Sequence, residues 1–423
     1  MRLDIISLII FIAVIILAFI RKNNVGVIAL AVGVIAVRLF GMGDKDLLSG
    51  VSASMFITLL GITLLFEIIN QTGALDLLAK KIVGMAGHRL WLIPIALYVA
   101  GFVVAGVGPG AVPALAIIPA LGVSVALQVG FDPVMLALIG ECGLMAGRMT
   151  PITPEAAIIT TAAEGAGISG VIPTILICQT LVTTVFAIVL WFIFKGHKVK
   201  APLGDISAAK GERFNARQII ALCSILAMLA LIIFAKVNIG LAAMLVAAVL
   251  AIFGVADDGL CIKKLPWGTI CMVLGVGALL DVVNTVGGID LLSNGMSKIM
   301  TSKTATPIMG ISAGLLSLVS SALGVVYPTM MPMSVDIAAQ VGGVNPVALM
   351  AAVGAGGSLA GVSPLSTGGA LILAALGTNM KNFTKEDESK RFIQLFIYSA
   401  VGLLVIAVVS GLFYNILANL IHG

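Results

Sequence analysis

Residues 61–78 read GITLLFEIINQTGALDLL, and residues 275–292 read GVGALLDVVNTVGGIDLL. Laid over one another at an offset of 214, they match Glu67 with Asp281, Asn70 with Asn284, Gly73 with Gly287 and Asp76 with Asp290. The match extends outward. Lys22, Asn24 and Gly26 meet Lys236, Asn238 and Gly240. After one residue of slippage, Pro119 meets Pro332, Pro133-Val134 meets Pro346-Val347, and Thr150-Pro-Ile-Thr153 meets Ser363-Pro-Leu-Ser366. One unit is therefore written twice along the chain.

Composition says what kind of unit it is. The chain has 423 residues, of which 60% are hydrophobic and 10% charged, and a mean hydropathy of +1.19. Apolar runs of this length and number specify an all-α polytopic membrane protein rather than a water-soluble globule. The run Leu3 to Ile20 reads as the first span rather than a cleaved signal, because Arg21 and Lys22 close it and no small-residue cleavage pattern follows. The five cysteines show no CxxC or metal spacing, and the three histidines, His88, His197 and His422, sit in polar segments or near the chain end. No cofactor is expected. The net charge of +5 reflects orientation in the bilayer and not a nucleic-acid partner.

Each unit reads as five spans plus one re-entrant hairpin. In the first, spans at 3–20, 25–41 and 53–72 precede an amphipathic segment, a Gly/Pro-rich hairpin, a broken helix and a span at 171–194. The second repeats this at 216–235, 238–255 and 266–286, with a hairpin at 305–341, a broken helix at 346–377 and a span at 391–416. An odd number of crossings inverts the second unit in the membrane, which is the plan of many secondary transporters. The expected division is residues 1–194, a cytoplasmic linker at 195–215, and residues 216–423. Most of the 24 lysines and arginines then fall on one side, including Lys80, Lys81, Arg213, Arg217, Lys263 and Lys264. That side is expected to be cytoplasmic, with both termini outside the inner membrane. Trp91, Trp191 and Trp267 lie beside basic residues on the same side. Gly73 to Arg89 has the pattern of a helix lying in the interface.

Irregular backbone at membrane depth must be buried in protein or line a cavity. The turns TPIT and SPLS, each inside a long apolar run, are therefore candidate binding positions. Thr153-Pro154-Glu155 has the form of a helix start, and Ser366-Thr367-Gly368-Gly369 offers a second hydroxyl cap. A half-helix beginning there presents unpaired N–H groups and a positive dipole end, suited to a carboxylate. The preceding half-helix ends in free carbonyls, suited to a small cation such as sodium near Gly106, Gly147, Thr150, Gly361 and Ser363. The hairpin tips add Gly108-Pro109-Gly110 in the first unit and Ser320-Ser321 in the second. Thr150, Thr153, Ser363, Ser366 and Thr367 are expected to donate hydrogen bonds to substrate. Arg148 either counters a substrate carboxylate or pairs with Glu141, Glu155 or Glu164.

The run from Arg21 to Gly84, RKNNVGVIALAVGVIAVRLFGMGDKDLLSGVSASMFITLLGITLLFEIINQTGALDLLAKKIVG, resembles the N-terminal region of MatC-type dicarboxylate carriers. SSALGVVYPTMMP and PWGTICMVLGVGALLDVVNTVGGIDLL are similar to that family's second half. GLMAGRMTPITPEAA is more distantly similar to the divalent anion/sodium symporters of the ion transporter superfamily. That resemblance implies a homodimer with scaffold and transport domains and elevator-type movement. The chain departs from those symporters at both tips, where they carry Ser-Asn-Thr, and at Thr153-Pro154-Glu155, where they carry Gly-Thr-Pro-Pro-Asn. The expected function is secondary active transport of a small dicarboxylate of the malonate or succinate kind, coupled to a cation gradient. A cation/proton exchanger on the same architecture is the alternative, although the second break has no titratable carboxylate of its own. A membrane-embedded enzyme is not expected, since no HExxH or paired-aspartate constellation is present.

Overall fold

The computed structural model describes residues 2–21, 23–87, 89–199, 212–380 and 383–422, and every regular element among them is helical. Part of the linker expected at 195–215, together with Lys22, His88 and Lys381, lies outside the described residues. The first unit comprises α1 (Leu3–Arg21), α2 (Val25–Leu39), α3 (Asp44–Ser49), α4 (Ala53–Gln71), α5 (Ala74–Gly84), α6 (Leu92–Gly106), α7 (Ala111–Val129), α8 (Pro133–Gly147), α9 (Pro154–Gly165) and α10 (Ile172–Ile193). The second comprises α11 (Ala216–Phe234), α12 (Ile239–Ile252), α13 (Asp258–Lys264), α14 (Trp267–Thr285), α15 (Gly288–Ser297), α16 (Ala305–Val319), α17 (Tyr327–Val341), α18 (Pro346–Leu359), α19 (Thr367–Asn379) and α20 (Lys385–Val409). After a π turn, α21 (Asn415–His422) closes the described chain.

The two sets of ten begin at matching positions because the start signals recur. Asn24 Oδ1 accepts from the Gly26 N–H at 2.9 Å, and Asn238 Oδ1 accepts from the Gly240 N–H at 2.9 Å. Asp132 and Asn345 likewise cap α8 and α18, each followed by a proline in the first turn, where its missing N–H costs no helical bond. Two short helices were not expected from the sequence. In α3, Asp46 accepts from the Gly43 N–H, and in α13, Asp257 accepts from the Leu260 N–H. The last span also begins earlier than expected, at Lys385, because Thr384 and Asp387 cap its start reciprocally.

The units interlock. Helix α2 packs on α14 and α12 packs on α4, so each partner in one pair is the repeat of a partner in the other. Glycines make both crossings possible: a methyl group at Gly26 would collide with the backbone of Cys271 and Met272, and one at Gly240 with that of Thr58. A second reciprocal pair joins α7 to α19 and α9 to α17. Exchange of partners between matching elements is the signature of a two-fold relation between the units.

Among the described residues, eight helical segments are long and apolar enough to cross a bilayer. The outward faces carry exposed large apolar residues such as Ile20, Ile35, Phe234, Phe253 and Leu404. In water such a surface would aggregate, whereas acyl chains solvate it. This is a polytopic membrane fold.

Candidate functional site

Helix α8 is buried along its whole length and ends at Gly147; the chain then turns through Arg148 to Thr153 before α9 begins. Thr153 caps α9, accepting from the Ala156 N–H at 3.2 Å. Its hydroxyl hydrogen is shared between the carbonyls of Arg148 at 2.6 Å and Thr150 at 2.9 Å. The second break repeats the stitch. Ser366 donates to the carbonyls of Gly361 and Ser363, the counterparts of Arg148 and Thr150. These hydroxyls serve carbonyls of the turn that follows each preceding half-helix, which the helical ladder leaves without a partner. The sequence had suggested them as substrate donors; the structure places them first as ties across the breaks.

The first break is joined to the first hairpin tip. Thr150 Oγ1 donates to the Gly106 carbonyl at 2.5 Å, and the Ala111 N–H donates to Glu155 Oε1 at 2.8 Å. Gly110, at φ 71°, lies against the Glu155 carboxylate, and Gly108, at φ 134°, lies against the Phe66 ring. A side chain at either glycine would be strained in backbone and would also collide. Arg148 pairs with Glu155, its Nη2 standing 3.3 Å from Glu155 Oε1, and their side chains are 9% and 2% exposed. Among the acidic partners considered for Arg148, the structure selects Glu155.

The second break has glycine at both of those positions, since Gly361 stands for Arg148 and Gly368 for Glu155. Into the space beside Gly368 comes a carboxylate from the first unit. A methyl group built on Gly368 would lie 3.1 Å from each oxygen of Glu141, and would also meet the Gly361 carbonyl. Glu141 is fully buried, and neither of its oxygens accepts a hydrogen bond among the described residues. A bare carboxylate in that position is costly unless a charge or proton compensates it. The sequence reading had treated Glu141 only as a partner for Arg148. Comparing Gly361 and Gly368 with Arg148 and Glu155 is the signal that would have singled it out.

The remaining predicted residues divide between the tips and α19. At the second tip, Ser320 donates to the Leu316 carbonyl at 2.6 Å, and Ser321 accepts from the Gly324 N–H at 3.2 Å. Ser363 is buried and accepts from the Leu365 N–H at 3.3 Å, whereas Thr367 is exposed at the start of α19. Pro109 of the first tip, Pro154 and Glu155 of the first break, and Leu323 of the second tip all line one cavity of about 50 Å³.

That cavity has a larger counterpart. Its far wall is formed by Thr63, Glu67, Lys264 and Thr269, whose repeats are Gly277, Asp281, Gly50 and Met55. All four of those repeats line a cavity of about 350 Å³, closed on its other side by Ile158 and Thr161 of α9 and by Pro328 and Thr329 of α17. The small cavity is crossed by an ion pair, with Lys264 Nζ 3.7 Å from Glu67 Oε1. The large one has glycine in place of that lysine. Its volume falls in the range that admits a small organic ligand, and the smaller one does not reach that range.

Solved transporter structures share this architecture. The YdaH transporter of Alcanivorax borkumensis has a TM-score of 0.59 at 15% identity, over 89% of this chain and 88% of that one. MtrF of Neisseria gonorrhoeae, described with a class of antimetabolite efflux pumps, has a TM-score of 0.59 at 15% identity, over 90% and 84%. At such identity the likeness is one of fold. No curated protein matches the chain in sequence. The citrate transporter family, CitMHS, matches residues 14–354, which is most of the chain. This assignment is broader than the MatC-type resemblance, which it does not single out. By its sequence match, the chain belongs to the citrate transporter family, a family of carriers rather than enzymes.

Proposed function

We propose that the protein is a secondary transporter of small dicarboxylates of the malonate or succinate kind, driven by a cation gradient. The supporting observation is the pair of repeat-related cavities, one of about 350 Å³ and one of about 50 Å³, that both border α9, the half-helix after the first break, and the second hairpin. In this reading residues 1–194 and 216–423 are inverted repeats in the inner membrane, with both termini outside. The two cavities are the two access routes, and the large one faces outward. Exchanging their sizes carries the breaks past the scaffold of α1 to α5 and α11 to α15 in an elevator-type movement, within a homodimer.

The breaks suit a dicarboxylate because α9 and α19 each start there, and each helix start carries partial positive charge. Arg148, though paired, keeps its buried Nε without a hydrogen-bond partner among the described residues, and so has a donor left for an anion. Ser321 and Thr367 add hydroxyls, and Pro109 and the glycines at 108 and 110 let the ligand approach the backbone closely. Gly106, Gly147, Thr150, Gly361 and Ser363 offer carbonyl and hydroxyl oxygens for a coupling ion.

Uptake of radiolabelled malonate or succinate into proteoliposomes is the test. Saturable uptake that requires a proton or sodium gradient, is competed by the other acid, and falls in Thr153→Ala and Ser366→Ala is the expected result. Absence of uptake of any carboxylate under either gradient would overturn the function. Undiminished transport in both variants would overturn the site.

A further inference from the structure

We infer that Glu141, facing the second break at Gly361 and Gly368, is the group that carries the coupling proton. The inference deepens the transport reading above and rests on it for its role in coupling, though not for the existence of the proton site.

The argument is a charge count between two related positions. At the first break a carboxylate, Glu155, meets a guanidinium, Arg148, and an N–H group, that of Ala111. At the second, both break positions are glycine, and the carboxylate arrives from α8 with no hydrogen-bonding partner among the described residues. The helices packed against α8 are α6, α7, α10, α18 and α19. Their only titratable side chains are Tyr98 on α6 and Cys178 on α10, with Cys142 beside Glu141 on α8 itself; none of these carries a positive charge. Arg148, at the end of α8, is held by Glu155. One positive charge is therefore lacking at the second break and present at the first.

A proton is the smallest cation that supplies it, and the local geometry receives one. Both carboxylate oxygens and the Gly361 carbonyl converge on the space that the absent Gly368 side chain leaves. A protonated Glu141 would donate to that carbonyl, which has a second lone pair beyond the one that Ser366 uses. On loading, an O–H bond forms on the carboxylate with a proton from one side. On release the same bond breaks and the proton leaves to the other. No other reagent is needed.

Coupling follows from like charges. A dianionic substrate bound at the breaks is repelled by ionised Glu141 and not by the neutral acid, so proton and substrate each favour binding of the other by the same factor. Apparent affinity should then weaken as pH rises.

Two measurements test this. In reconstituted protein without substrate, pH-difference infrared spectra should show the C=O stretch of a buried protonated carboxyl, absent in Glu141→Gln and retained with a shifted midpoint in Glu141→Asp. A spectrum identical in wild type and Glu141→Gln would overturn the proton site whatever the substrate proves to be. In uptake assays, KM for the carboxylate should rise with pH in the wild type and be flat in Glu141→Gln, with the slope restored in Glu141→Asp. A pH-independent wild-type KM with accumulation driven by sodium alone would overturn the coupling role. If Glu141→Gln does not fold, an unmoved midpoint in Glu141→Asp overturns the assignment by itself.

Discussion

The two breaks are built from the same stitch and differ in charge. Thr153 and Ser366 perform the same task, each tying down two carbonyls in the turn after the preceding half-helix. Around the first tie a guanidinium and a carboxylate close a buried pair onto the tip at Ala111. Around the second, two glycines leave room for a carboxylate with no partner among the described residues. The backbone problem is thus solved identically twice, while the electrostatic problem is solved once by the protein and once by something exchangeable. In the proposed transport reading, symmetry supplies the scaffold of the site and departure from symmetry supplies its coupling.

The comparison can be broken most forcefully at the first break. Glu155→Ala strands Arg148 in the interior and should cost about 3–5 kcal/mol, read as a large drop in thermal stability in detergent. Arg148→Gly combined with Glu155→Gly, which gives the first break the residues of the second, should cost clearly less than the two single changes summed. Glu141→Gln should not lose stability in the same way, because it removes a bare carboxylate rather than half of a pair; a loss as large as that of Glu155→Ala would break the distinction.

Gly368→Ala comes next. Its methyl group has nowhere to go between Glu141 and the Gly361 carbonyl, so about 1–3 kcal/mol of overpacking is expected, with a displaced infrared signature for Glu141. Thr153→Ala should cost about 0.5–2 kcal/mol, and more than Ser366→Ala, since only Thr153 also caps its half-helix. The smallest effect belongs to the cavity mouths. Lys264 is 63% exposed and its pair with Glu67 spans 3.7 Å, so Lys264→Gly should change stability by less than about 1 kcal/mol. It should nevertheless make a cysteine placed at Thr63 more reactive to maleimide; unchanged reactivity would remove the pair from any role in closing the small cavity.

Much of the fold was legible in the sequence because its signals are local and written twice. Asn24 and Asn238, Asp132-Pro133 and Asn345-Pro346, and the two hydroxyl-proline turns mark helix starts wherever they occur. The short α3 and α13 escaped because six or seven residues carry too little apolar periodicity to register. At the site, the location of the breaks could be read but the partners could not. Glu141 and Arg148 are two turns apart on one helix, which leaves Glu141, Glu155 and Glu164 all eligible for Arg148. The choice of Glu155 depends on Gly110, whose missing side chain lets that carboxylate reach the Ala111 N–H in another hairpin. The engagement of the Thr153 and Ser366 hydroxyls with backbone carbonyls was not legible, because it depends on how each turn folds back on itself.

The central claim is that the charge lacking at the second break is brought in with the substrate. Calorimetric titration of the purified protein with the transported carboxylate, in buffers of differing ionisation enthalpy across a pH series, counts the protons taken up on binding. The account predicts up to one proton per carboxylate bound in the wild type and none in Glu141→Gln. Equal proton uptake in the wild type and Glu141→Gln would contradict it.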